Sequence, residues 1–195
     1  MGRPAEFDRD DAVQAAIRVF ARHGFAAAST TDLLDGMGIG RQSLYGAFGD
    51  KRGLFLEALA RYSERSLARM RAAMEAEGSA PAALEAALMI DLGCGADVES
   101  GCLGVGSIAE FGRTDADVNA LGDRVGAAVV ALFADRVRAG VTAGVFRPDL
   151  DPDAVGRMLL SLKSGLKVAA RGGAAEADVR ESARLVLEGL LYQPL

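Results

Sequence analysis

The sequence contains one histidine, His23, two cysteines, Cys94 and Cys102, and no tryptophan. A lone histidine excludes most catalytic triads and any metal site built on several imidazoles. With no serine elbow and no paired-carboxylate motif, no catalytic residue, metal or cofactor is expected. Two cysteines are too few for a disulfide framework and lack C-x-x-C spacing. No stretch approaches the roughly 20 apolar residues of a membrane helix, and no charged start leads into an apolar run. A cytoplasmic chain with no membrane partner is therefore expected. Prolines number only five, β-branched runs are few, and half of the 195 residues are apolar. That composition predicts an all-α fold.

The informative stretch runs from Thr30 to Phe55. Ser29 stands three residues before Asp32 and just ahead of Leu33 and Leu34, so side chains at both ends of that spacing can satisfy the open amides of a helix starting at Thr30. The helix must be short, because Gly36, Gly38 and Gly40 each disfavour helix by about 1 kcal/mol and permit positive φ. Ile39, Leu44 and Phe48 then recur at spacings that bring a turn residue and one face of a second helix into a shared core. On the other face Arg41, Gln42 and Tyr45, at i, i+1 and i+4, offer hydrogen-bonding groups suited to base edges and phosphates. The three glycines do not form a nucleotide loop, since no apolar strand precedes them and no third glycine falls at the required offset.

At these residues the sequence resembles the TetR family of bacterial transcriptional regulators. Ser29 to Leu34 matches the family's T-x-x-x-I-A helix, Met37-Gly38-Ile39-Gly40 its A-G-V-S turn, Leu44-Tyr45 with Phe48 its L-Y-x-x-F helix, and Asp50-Lys51 the start of the next. Ala16 to Phe20, followed by His23-Gly24-Phe25, resembles the family's first helix and its exit. The resemblance covers about the first 60 residues. It implies an N-terminal three-helix, helix-turn-helix DNA-binding domain over 1–52 and a C-terminal helical bundle for ligand binding and dimerisation over 53–195, with a hinge helix at about 51–77. Carried over residue by residue, Arg41, Gln42 and Ser43 face base edges, Thr31, Tyr45 and Lys51 face the phosphate backbone, and Thr30 is a further DNA-binding candidate. Two departures stand out. Gly40 replaces the family's usual capping serine, and Gly46 and Ala47 stand where histidine or tyrosine often supplies phosphate contacts.

A formal net charge of -5 argues against a nucleic-acid partner, whose affinity rests on lysine and arginine. Within residues 1–52, however, seven acids and seven basic residues balance, so placement decides. Arg3, beside Pro4, suits an N-terminal arm reaching a minor groove, or a solvated terminus. The competing reading is a helical interaction or adaptor protein without DNA-binding activity.

Further along, Asp8 can cap a first helix with Val13, Ala16, Ile17 and Phe20 on one stripe, and Gly24 ends it. Beyond the helix from Lys51, apolar spacing predicts helices around Leu84 to Leu92, Leu103 to Phe111, Asp115 to Ala139, a segment opened by Pro152, and Ala174 to Leu191. A glycine-rich break covers Gly93 to Gly101. The resemblance implies that the last two helices pair with their copies in a homodimer, for which Gly156, Ser161, Ser164 and Gly165 are small enough. Two recognition helices about 34 Å apart then read a palindromic operator in double-stranded DNA.

The resemblance also implies a pocket for a small-molecule effector. Tyr62, Met89, Leu92, Leu103, Ile108, Phe111, Val129 and Phe133 are candidates for an apolar wall, though core packing explains each equally well. Glu110, a charge among apolar neighbours, is a candidate anchor or a solvated helix position. Cys102, at a helix start, is a further candidate for the effector site, either a thiol sensor or a small buried hydrophobe.

Overall fold

A computed structural model of the protein describes residues 7–92 and 102–192. Arg3, Cys94 and the predicted glycine-rich break lie outside them. The described residues form helices α1 (Arg9–Ala27), α2 (Thr30–Met37), α3 (Arg41–Phe48), α4 (Lys51–Glu75), α5 (Ala80–Met89), α6 (Leu103–Phe111), α7 (Ala116–Thr142), α8 (Pro152–Arg171) and α9 (Glu176–Glu188). No strand accompanies them beyond an isolated bridge between Phe146 and Leu191. The fold is all-α. No described helix is long and apolar enough to cross a membrane, and no described cluster of His, Cys, Asp and Glu could hold a metal ion.

The chain divides into two compact units, Met1–Glu64 with Glu99–Gly122 and Arg65–Val98 with Asp123–Leu195. The unit bearing the helix-turn-helix thus runs past residue 52 and takes in α6 and the start of α7. Its core joins Val13, Ala16, Ile17 and Phe20 of α1 to Leu33 and Met37 of α2, Leu44 and Phe48 of α3, Leu54, Phe55 and Leu59 of α4, and Leu103 and Val118. Burying a side chain of the size of Phe20 stabilises by about 2–3 kcal/mol. Phe25, Phe55 and Phe111 form a mutual aromatic cluster with ring centroids 5.0–5.4 Å apart.

Local signals set the element ends. Asp8 caps α1 by accepting from the Asp11 amide at 2.9 Å. Gly24, at φ 79°, ψ 173°, interrupts the helical dihedrals before α1 resumes to Ala27. Gly36 lies so close to α1 that a Cβ would stand 2.7 Å from Val19 Cγ2.

The second unit packs Met70 and Met74 of α4 with Leu84 and Leu88 of α5, Phe133 and Val137 of α7, Val155, Leu159 and Leu166 of α8, and Val179, Ala183 and Leu187 of α9. Gly156 is used inside the chain, since a Cβ there would meet the Val130 carbonyl oxygen at 2.7 Å, whereas nothing approaches Gly165. Lys163, only 6% exposed, enters this core and donates to the carbonyls of Ala87 at 2.6 Å and Ile90 at 2.8 Å. It supplies partners to carbonyls that a helix end leaves open.

Candidate nucleic-acid interface

The helix pair is built as the spacing predicts. Ser29 accepts from the Asp32 amide, and the Asp32 carboxylate accepts from the Ser29 amide and hydroxyl, a complete capping box. These bonds from Ser29, side chain first and amide second, hold the Asp32 carboxyl below its ordinary value. Gly38 then turns the chain in the left-handed region, at φ 65°, with its amide on the Leu34 carbonyl. No side chain caps α3 at Gly40.

Along α3, Leu44 and Phe48 are buried while Arg41 and Gln42 are exposed, Ser43 is half-buried and Tyr45 is 44% exposed. One face is therefore spent on the core and the other carries a guanidinium, an amide and a phenol to solvent. Thr31 is exposed and Thr30 half-buried at the start of α2. Lys51, expected to face phosphate, turns its ammonium to the Ala26 carbonyl at 3.3 Å and over the Phe25 ring at 4.7 Å. Gly46 has open space around it.

Several supports escaped the sequence reading. Arg9 donates to both oxygens of Glu57, at 3.0 and 2.6 Å, and to the Ala47 carbonyl at 2.9 Å, and it lies 4.4 Å over the Phe48 ring. One side chain thus fastens the start of α1 to the end of α3 and to α4. The bond to Glu57 holds the Arg9 guanidinium above its ordinary value. Arg52 in the first turn of α4 pairs with Asp115 at 2.9 Å and Asp117 at 2.8 Å. Its bonds to Asp117 and then Asp115 raise its pKa, and Asp115 in turn is lowered, chiefly by the Val118 amide.

Residues 12–58, the span that builds these three helices, match the family model described as bacterial regulatory proteins, tetR family. This helix-turn-helix region is similar to that of the TetR family. The chain's N-terminal part is 44% identical over 84 residues to the uncharacterized HTH-type transcriptional regulator YezE of Bacillus subtilis (strain 168), covering 43% of each chain. It is 41% identical over 76 residues to the HTH-type transcriptional repressor ComR of Escherichia coli (strain K12), covering 39% of this chain and 36% of ComR. The match therefore spans less than half the length of either relative. Among solved structures, the TetR-family regulator CifR, as a cysteine mutant complexed with 26-base-pair operator DNA, superposes with a TM-score of 0.79 at 29% identity, covering 95% of this chain and 98% of that one. TetR-family members are transcriptional regulators rather than enzymes.

The residues considered for a TetR-type effector pocket fall in both units. Tyr62, Cys102, Leu103, Ile108, Glu110 and Phe111 belong to the first, and Met89, Leu92, Val129 and Phe133 to the second. Ile108 is 67% exposed, and Phe111 packs in the aromatic cluster with Phe25 and Phe55. Tyr62 donates its hydroxyl to Cys102 Sγ at 3.2 Å, and the same sulfur caps α6 by accepting from the Val105 amide at 3.5 Å. Glu110 places its carboxylate on the amides of Phe25 and Ala26. Phe133 is fully buried, and Leu92 nearly so. In the second unit a cleft of about 190 Å³ lies between α4 and α7, lined by Arg71, Met74, Glu75, Leu132, Asp135, Arg136 and Ala139. None of those residues is among the pocket candidates, and the volume is below the several hundred Å³ usual for a drug-sized ligand.

Proposed function

We propose that this protein is a ligand-responsive, DNA-binding transcriptional regulator of the cytoplasm, a homodimeric repressor released from a palindromic operator by a small-molecule effector. The observation that carries the reading is the division of α3, with Leu44 and Phe48 inward and Arg41, Gln42 and Tyr45 outward, on a helix held by a capped α2 and a left-handed glycine turn. Arg41, Gln42 and Ser43 read base edges. Arginine pairs with guanine and glutamine with adenine, each worth roughly 1–3 kcal/mol of discrimination. Thr30, Thr31, Tyr45 and Lys51 hold phosphates, Lys51 by exchanging its contact with Ala26 for a phosphate oxygen. The operator complex of CifR and the repressor activity named for ComR support the assignment.

Homodimerisation is supported by α8 and α9. Ala154, Met158, Ser161, Gly165 and Val168 lie exposed along one side of α8, and Ser182 and Leu185 along one side of α9, with Gly189 exposed at its C-cap. Those steps of three and four place small and apolar groups in a stripe that permits close helix approach. Two copies held there present two reading helices to successive turns of one duplex face. An effector acts by favouring the conformation that binds DNA poorly, and DNA weakens effector binding by the same factor.

The deciding experiment is selection of bound sequences from a random duplex pool, followed by a salt titration of the recovered duplex. A palindrome whose affinity falls steeply with salt is expected. Recovery of no sequence, with negligible duplex binding at low salt, overturns the reading in favour of an adaptor without DNA-binding activity.

A further inference from the structure

We infer that Glu110 is a positioning residue for DNA reading, a carboxylate latch through which the last turn of α6 fixes the entry into the helix-turn-helix. This rests on the DNA-binding reading above. At Gly24 the backbone leaves the helical region, at φ 79° and ψ 173°. The amides of Phe25 and Ala26 are thereby available to an outside acceptor, and backbone donors in a folded chain require one. Both are met by Glu110, whose Oε2 accepts from Phe25 at 2.7 Å and whose Oε1 accepts from Ala26 at 2.5 Å. The acceptors come from 85 and 84 residues away in sequence. A Cβ on Gly24 would stand 3.0 Å from Oε2, so only glycine gives both the dihedral and the room.

The held segment leads directly into the reading unit. Ala28 closes onto the Gly24 carbonyl, Ser29 caps α2, and α2 and α3 follow. The carbonyl of Ala26 in turn accepts from Lys51, and the Phe25 ring contacts both Lys51 and Phe111. Glu110 therefore touches, through one peptide segment, both the geometry of the helix pair and a lysine assigned to phosphate. The two bonds are charge-assisted and share one carboxylate, so displacement of the α6 terminus withdraws both together. With Gly104 and Gly106 in its nine residues, α6 has little intrinsic helix propensity, and its placement depends on such contacts. By linkage, a duplex that requires the latched turn must itself stabilise the latch.

The test uses the full chain and the duplex recovered by selection. Affinities of the wild type, Glu110→Ala and Glu110→Gln are measured for that duplex and for a scrambled one of equal length, with the folded fraction checked by circular dichroism. Amide exchange at Phe25 and Ala26 is followed in the wild type with and without the selected duplex. We expect Glu110→Ala to lose about tenfold or more on the selected duplex, the effect of one lost bond to a charged group. On the scrambled duplex the loss should stay within about threefold, since phosphate contacts tolerate a tilted helix. Glu110→Gln, which keeps one acceptor, should fall between, and the selected duplex should slow exchange at both amides. A folded Glu110→Ala protein with unchanged affinity, or with equal losses on both duplexes, overturns the latch while leaving DNA binding intact. If Glu110→Ala does not fold, unchanged exchange at Phe25 and Ala26 on adding duplex overturns it. Failure of the wild type to recover any duplex removes the DNA-binding reading and the latch with it.

Discussion

Gly53 and Phe48 meet backbone to backbone, so that a methyl group on Gly53 would stand 2.3 Å from the Phe48 carbonyl oxygen. This contact closes the α3–α4 corner, where Asp50 Oδ1 also accepts from the Gly53 amide at 2.7 Å. A helical glycine is ordinarily improved by alanine, by about 0.5–1 kcal/mol. Here the backbone oxygen cannot yield without moving α3. Gly53→Ala should therefore destabilise, by about 2 kcal/mol, while Gly46→Ala, with open space around it in α3, should stabilise by up to about 1 kcal/mol. Thermal unfolding of the two variants checks the contrast, and equal shifts of the same sign would refute it.

Substitutions on the outer face of α3 should separate readout from anchoring. Gln42→Ala should relax preference at one base pair of each half-site, and Arg41→Ala should do so at another, each with a discrimination loss of about 1–3 kcal/mol. Tyr45→Phe should weaken selected and random duplexes alike, since a phosphate contact carries no base identity. Binding isotherms on a single-substitution operator series measure this. Parallel losses for all three variants would remove the assignments.

Lys163→Met should cost about 3 kcal/mol. The substitution keeps the apolar stem, but leaves the Ala87 and Ile90 carbonyls at the end of α5 without their ammonium donor in a buried setting. Denaturant unfolding gives the value. A loss below about 1 kcal/mol would show that water reaches those carbonyls.

Asp91 provides a pH dependence whose sign is fixed. It sits at φ 59°, with its carboxylate on Arg69 at 2.8 Å and on the Ser66 hydroxyl at 2.9 Å. Burial pushes its pKa up, but the bonds from Arg69 and Ser66 and the charges of Arg69 and Lys167 outweigh it, leaving the group below its ordinary 3.8. A depressed folded pKa contributes stability that is present above 3.8 and is lost as pH falls through the lower, folded value. Asp91→Asn keeps a side chain tolerant of left-handed backbone and removes the charge. It should be less stable than the wild type at pH 7 by roughly 1–2 kcal/mol, with the gap closing as pH drops below 3.8. A gap that stays constant across that range would exclude the mechanism.

What the sequence determined by itself is what closes within a few residues. The Ser29–Asp32 box, the Gly38 turn, the Asp8 cap, the Pro152 start and the bounds of α6 were legible because a cap, a glycine stop or a 3.6-residue stripe has its cause and its effect inside one or two helical turns. The last helix ends at Glu188, short of the expected Leu191, because the chain beyond Gly189 pairs with the α7–α8 loop, Arg147 donating to Leu190 and Tyr192 to Val145. The outward face of α3 was likewise readable, since Leu44 and Phe48 fix which side is spent.

The tertiary structure alone decided the partners of Glu110, Arg9, Arg52 and Lys163. Each joins atoms between 38 and 85 residues apart. Nothing in a local window distinguishes Glu110 as a helix-face carboxylate from Glu110 as the acceptor of two distant amides. The difference lies in where the loops return the chain, and that is set by the packing of whole cores.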